Sequence, residues 1–219
     1  MKVGIIAPIK FLDRYCITNV QYCLPKLLVG SEVYQDFYRA RQKRGDIIIL
    51  DCKKPGWKRE PEDFDTVELA LSMVLPSIIV APSYMFNSKE SERVYQEFIE
   101  EFAVWEDRIV RCLEGISEKE VKKPKGITAV PSHIYKYLLR EKWKPDTLFI
   151  ENDKKVDELD GRKGILVTSL PLKLGLQGRL LSDYKPAPNS LTFFEEEDNY
   201  PKVTMKNIMD TIEYYKEDK

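Results

Sequence analysis

Carboxylates stand at the ends of several apolar runs in this chain. Asp51 follows IIIL, Glu151 follows DTLFI, and Glu195 follows LTFF, where it opens an acidic run through Asp198. Two carboxyl groups converging on one opening can divide the roles of nucleophile and proton shuttle, as glycosyl transfer requires. Asp51, Glu151 and the run Glu195 to Asp198 are therefore the carboxylate candidates for such chemistry. Hydroxyls and the one histidine end other runs: Ser83 and Tyr84 after SIIVAP, Ser132 and His133 after GITAVP, Thr168 and Ser169 after GILV. Ser83, Tyr84, Ser132, His133, Glu151 and Ser169 are the candidates for orienting a substrate.

Each candidate also has an ordinary structural use. Asp51 suits a helix N-cap or an ion pair with Lys53 or Lys54. The run Glu195 to Asp198 suits a solvated acidic face, and His133 a cap or a surface position. Cys52 reads either as a nucleophile or as a buried, inert thiol, and Pro82-Ser83 as a plain turn. Among the cations, Arg140 and Lys142 with Trp143 combine charge and an aromatic ring, a pairing that holds phosphate and stacks a base. Lys173 and Arg179 follow the GILV run, near where barrels often bind phosphate. A solvated face balanced by neighbouring Glu is the alternative for each basic cluster.

The elements that must position these residues are short apolar runs bounded by Gly, Pro or charge. Eight are expected as strands: Val3 to Ala7, Lys26 to Val29, Asp46 to Leu50, Ser77 to Ala81, Gly126 to Val130, Thr147 to Glu151, Gly164 to Thr168 and Leu191 to Glu195. IIIL, SIIVA and GILV are continuous rather than alternating, the pattern of buried parallel strands. Helical stretches lie between them. Ser31 to Arg44 stops at Gly45, Asp65 with Glu68 opens VELALSMVL as a capping box, and a long helix starts near Ser88. Its stripe runs Val94, Phe98, Phe102, Trp105, Ile109 and Leu113 before Gly115. Ser132 to Lys142 and Thr204 to Lys216 are further helices, the latter with Met205, Ile208, Met209, Ile212 and Tyr215 facing inward.

Strand and helix in alternation predict an α/β protein, a compact (β/α)8 TIM-barrel-like single domain over residues 1–219 with parallel strands. An open doubly wound sheet is the rival. It ordinarily carries a glycine-rich turn after its first strand, whereas Ala7-Pro8-Ile9-Lys10 cannot cradle a pyrophosphate. No cofactor is expected.

Composition bounds the partners. With 35 Lys and Arg against 36 Asp and Glu, the formal charge of -1 supplies no global attraction to nucleic acid or an anionic membrane. A chain of 219 residues that is 43% hydrophobic can bury a sizeable core, which excludes global disorder. No apolar run reaches the roughly 18–20 residues of a membrane span, and the start MKVGIIAPIK lacks the features of a secretory signal. The expectation is a soluble, cytoplasmic protein. Four cysteines without CxxC spacing and a single histidine point to reduced thiols and no zinc or other metal.

The segment LLVGSEVYQDFYRARQKRGDIIILD, with TVELALSMVLP and SIIVAPSY after it, resembles the tRNA-guanine transglycosylase superfamily. The likeness is to its small phage-type members, associated with 7-deazaguanine insertion, and runs over about residues 24–200. Gly126 to His133 resembles the family's Val-Gln-Gly strand, Gly164 to Pro171 its Gly-Thr-Pro strand, and Leu191 to Glu195 the strand ending in the nucleophilic Asp. The resemblance implies exchange of guanine for a modified base in tRNA or DNA by double displacement, through a covalent sugar intermediate. It makes Asp51 the handler of the base's proton and Glu195 the nucleophile. Ser83 stands at the position of a base-recognising Asp, and Ser132 or His133 at that of a Gln.

The chain departs from the family pattern in ways that matter. Cys52-Lys53-Lys54-Pro55-Gly56 replaces a Gly-Gly-Phe-Gln type loop, removing the platform for the base. Glu195 is one methylene longer than Asp, a displacement of about an ångström that can cost on the order of a hundredfold in rate. The zinc-binding segment of the tRNA enzymes is absent. Three readings therefore stand: a base-exchanging transglycosylase, an inactive relative that binds nucleic acid or a protein partner, and a barrel isomerase or lyase for a phosphorylated metabolite. Oligomeric state is not legible.

Overall fold

The β-branched runs pair into one sheet. A computed structural model describes residues 2–7, 9–55, 59–85, 87–113, 128–130, 147–149, 164–168 and 209. Its strands are β1 (Lys2–Ile5), β2 (Val20–Cys23), β3 (Ile47–Asp51), β4 (Ile78–Val80), β5 (Ile109–Cys112), β6 (Thr128–Val130), β7 (Thr147–Phe149) and β8 (Gly164–Thr168). Every pairing is parallel, and the order is β1-β8-β7-β6-β5-β4-β3-β2. From β2 to β8 neighbours in the sheet are neighbours in sequence, and β1 pairs with β8, the first strand with the last, which is the single winding of a barrel rather than the reversal that marks an open doubly wound sheet.

The two ends of that order meet. A Cβ on Gly4 would sit 2.9 Å from Val20 Cγ1, so glycine is what lets β1 lie this close to β2. Cys16 Sγ, from the connection between them, donates to the Ile5 carbonyl at 3.1 Å. The ring closes here by packing, and the fold is a (β/α)8 TIM-barrel-like one.

Described helices are α1 (Leu12–Tyr15), α2 (Pro25–Gly30), α3 (Glu32–Lys43), α4 (Phe64–Met73) and α5 (Ser88–Glu101). Caps explain where the last three begin. Ser31 accepts from the Tyr34 amide, Asp63 from the Thr66 amide, and Asn87 from the Glu90 amide. The α4 cap is Asp63 rather than the expected Asp65, because Thr66 supplies both its amide and its hydroxyl to the Asp63 carboxylate (2.8 and 2.9 Å). Gly45, at φ +80°, ends the α3 region in a conformation that L side chains resist.

Two expected elements change type. Lys26 to Val29 lies in α2, not in a strand: Pro25 opens the helix, where its fixed φ fits and its missing N–H costs nothing. The second strand is instead the preceding Val20–Cys23, obscured in sequence by Gln21. That side chain is buried because its amide nitrogen donates to Thr18 O (2.6 Å) and Asp46 Oδ2 (3.1 Å). The long helix stops at Glu101 instead of running to Gly115. A 3₁₀ stretch over Ala103–Arg108 follows, and Ile109–Cys112 becomes β5, which pairs with β4 and β6. Helical spacing of Phe102, Trp105 and Ile109 was coincidental; the β-branched Ile109-Val110 pair completes the ring between strands that each need a neighbour.

Gly164–Thr168, expected as the seventh strand, fills the eighth place. The expected run Leu191 to Glu195 and helix Ser132 to Lys142 lie outside the described residues. Of Thr204 to Lys216, Met209 is described; it is helical and 50% exposed rather than facing inward. No helix among the described residues is long and apolar enough to cross a membrane.

Candidate functional site

Parallel strands put all their C-terminal ends at one rim, and Asp51 is the last residue of β3 at that rim. Beyond it the chain folds back on itself. The Lys54 amide donates to Glu60 O (2.9 Å) and the Glu62 amide to Cys52 O (3.2 Å), with Lys53 bridged antiparallel to Pro61. Pro61 occupies a non-hydrogen-bonded position of this ladder, where a missing N–H is tolerated. Alternation along the two arms puts Asp51, Lys53 and Arg59 on one side, and Cys52 and Glu62 on the other.

That alternation delivers Arg59 to Asp51. Arg59 Nη1 donates to Asp51 Oδ2 at 2.9 Å and Nη2 donates to Oδ1, a fork-to-fork pair. Arg59 Nε donates to Ser83 Oγ at 2.8 Å, which brings in the segment that follows β4. Tyr22, on β2, donates its hydroxyl to Asp51 Oδ2 at 2.6 Å. Its own position is held by Tyr38 of α3, whose hydroxyl donates to the Tyr22 carbonyl. Asp51 is 0% exposed and Arg59 and Ser83 each 1%. The Met85 amide, donating to Arg59 O at 3.0 Å, ties the two rim segments together.

Of the expected site residues, the structure therefore joins Asp51 and Ser83 through one guanidinium. The expected ion-pair partner of Asp51, Lys53 or Lys54, is replaced by Arg59: Lys54 is on the opposite side of the ladder, and Arg59 alone offers a planar fork. Tyr84 is half-buried and anchored through its backbone, its amide donating to Ser91 Oγ at 2.9 Å. Glu195, Ser132, His133, Glu151, Ser169, Lys173, Arg179, Arg140, Lys142 and Trp143 lie outside the described residues.

Cys52 fits the inert reading. It is fully buried, and burial pushes its thiol well above the ordinary range, with the Asp51 carboxylate adding and Arg59 opposing. Three buried residues in or beside this network stand outside the expected set. Tyr22 lies on a strand whose buried Gln21 interrupts the apolar pattern, and Arg59 sits in a segment of mixed charge. The third, Glu62, lies on the other side of the ladder and is 3% exposed; among the described residues its Oε2 has no hydrogen-bond partner.

Burial raises the Glu62 pKa above its ordinary 4.5, against the pull of Lys26. The folded state thus favours the protonated carboxyl, so its stabilising share is complete below about 4.5 and is lost as pH rises beyond it. Glu62→Gln is expected to stabilise the protein by about 1 kcal/mol near pH 7.5, because it keeps the shape and removes a charge that burial penalises. At pH 4 the gain is expected to vanish. Urea unfolding at the two pH values checks this.

No protein-family model matches the chain, and no curated protein matches it. Among solved structures it is similar to orotidine 5′-phosphate decarboxylase from Thermotoga maritima, at 18% identity and a TM-score of 0.33, over 77% of this chain and 89% of that one. A likeness of this size bears on neither substrate nor mechanism.

Proposed function

We propose that the protein is a transglycosylase-like barrel that handles a guanine-type base beside Asp51 and Ser83 and exchanges it for a modified, 7-deazaguanine-type base in tRNA or DNA. What supports this reading is that one planar group with paired N–H donors bonds Asp51 and Ser83 at once. These are the two positions that the family resemblance assigns to base handling. Guanine presents paired donors in a plane too, its N1–H and 2-amino group, and a carboxylate accepts such a pair bidentately.

The exchange has two steps. A carboxylate attacks C1′ of the nucleoside; the glycosidic bond breaks, its electron pair leaves with guanine, and guanine takes up a proton. The incoming base then attacks C1′, loses its own proton, and releases the carboxylate. Glu195 is the carboxylate proposed for the attack, and Asp51 the group that holds the base. Arg140, Lys142, Trp143, Lys173 and Arg179 are the proposed nucleic-acid contacts, with Ser132, His133, Glu151 and Ser169 toward the substrate. The proposed setting is the cytoplasm, with one domain over residues 1–219.

Radiolabelled guanine incubated with tRNA and with duplex DNA tests this. Wild-type protein is expected to incorporate label, and Glu195→Gln to reduce incorporation by at least about a hundredfold, as for loss of a reacting group. No incorporation into either acid overturns the reading. The complete burial of Asp51 favours a second reading, an inactive relative that binds nucleic acid. Its mark is strongly salt-dependent binding with no base exchange.

A further inference from the structure

We propose that Arg59 is an internal competitor for the base subsite, its guanidinium filling the faces of Asp51 and Ser83 that receive the ligand's paired N–H edge. The proposal rests on the reading of the rim given above and deepens it, because it makes one side chain of this chain the determinant of whether that subsite is open.

The geometry is that of a bound ligand. Both carboxylate oxygens of Asp51 are engaged by Arg59, and Nε reaches Ser83 Oγ at 2.8 Å, so donors in one plane meet acceptors from two rim segments. With Asp51 at 0% exposure and Arg59 at 1%, the carboxylate has no face left for an outside base. Guanidinium and base cannot be seated together. Tyr22 Oη, by contrast, reaches Asp51 Oδ2 from β2 at 2.6 Å through a bond that does not involve Arg59, so it can orient the carboxylate for either occupant. Arg59 therefore sets affinity while Tyr22 positions the receptor. Affinity for an outside ligand falls by the fraction of molecules in which the site is competent to receive it.

The test compares wild type, Arg59→Ala and the double variant Asp51→Asn/Arg59→Ala as full chains, by equilibrium dialysis with radiolabelled guanine. Removing the guanidinium is expected to tighten binding at least about tenfold, and the double variant is expected to lose the gain. A folded Arg59→Ala that binds guanine no more tightly than wild type overturns the proposal. Should Arg59→Ala fail to fold alone, methylguanidinium chloride is added during refolding. Saturable recovery of the thermal midpoint, absent with equal sodium chloride, supports the proposal; no such recovery overturns it. The incorporation assay on the same proteins separates the two claims. Binding gained without incorporation keeps the competitor and removes base exchange, whereas incorporation by wild type that Arg59→Ala does not improve keeps exchange and removes the competitor.

Discussion

Asp51→Asn is expected to destabilise the protein by about 3–5 kcal/mol, the cost of breaking a buried ion pair from one side. The change is nearly isosteric, so packing is kept while Arg59, 1% exposed, loses the charge that balances it. Urea unfolding reads the loss. A second variant isolates its cause: Asp51→Asn combined with Arg59→Met removes both charges and is expected to recover most of the stability, since a buried pair replaced by uncharged groups is often neutral. If the double variant is as unstable as the sum of the singles, the two side chains are not coupled and the ion pair is not what closes this rim. The result also governs how activity data are read. A loss of base exchange in Asp51→Asn indicates a role in handling the base only when the protein is shown to be folded under the assay conditions.

Phe98→Ala is expected to cost about 3–5 kcal/mol as well, for a different reason. Phe98 lies on α5, is 0% exposed, and meets Phe64 of α4 edge-on at 5.6 Å and Phe102 at 4.6 Å between ring centroids. Truncation removes a whole buried ring and leaves a cavity whose walls belong to two helices and the turn after α5. The described hydrogen bonds of Asp51, Arg59, Ser83 and Tyr22 involve none of these rings, so guanine binding by the folded variant should equal wild type in dialysis. A much smaller loss in chemical denaturation would mean that the aromatic cluster collapses readily around the gap.

The contrast between these two positions tracks what each kind of residue reveals before folding. Phe98 is legible: it sits in a helical stripe with Val94 and Phe102, and all three are buried. Asp51 is legible as a strand end but not as a charge partner. Its identity at the end of IIIL places it at the rim of a parallel barrel, whereas its partner eight residues on is chosen by the folding back of the intervening chain. The same limit explains β5. Ile109 continues the spacing of the α5 stripe, so periodicity extends the helix, and only the open edges of β4 and β6 make a strand of it.

By itself the sequence determined the class of fold: continuous β-branched runs can be satisfied only between parallel neighbours covered by helices, and caps such as Ser31 and Asn87 act within four residues of themselves. The tertiary structure alone decided what Asp51 does. Hydrophobic periodicity is a local property that one segment carries in full, but the pairing of a buried charge depends on which distant groups arrive with matching geometry. Here Arg59 arrives from across a turned-back ladder, Tyr22 from the adjacent strand and Ser83 from beyond the next one, and their joint burial is what converts an isolated carboxylate into the occupied heart of the rim.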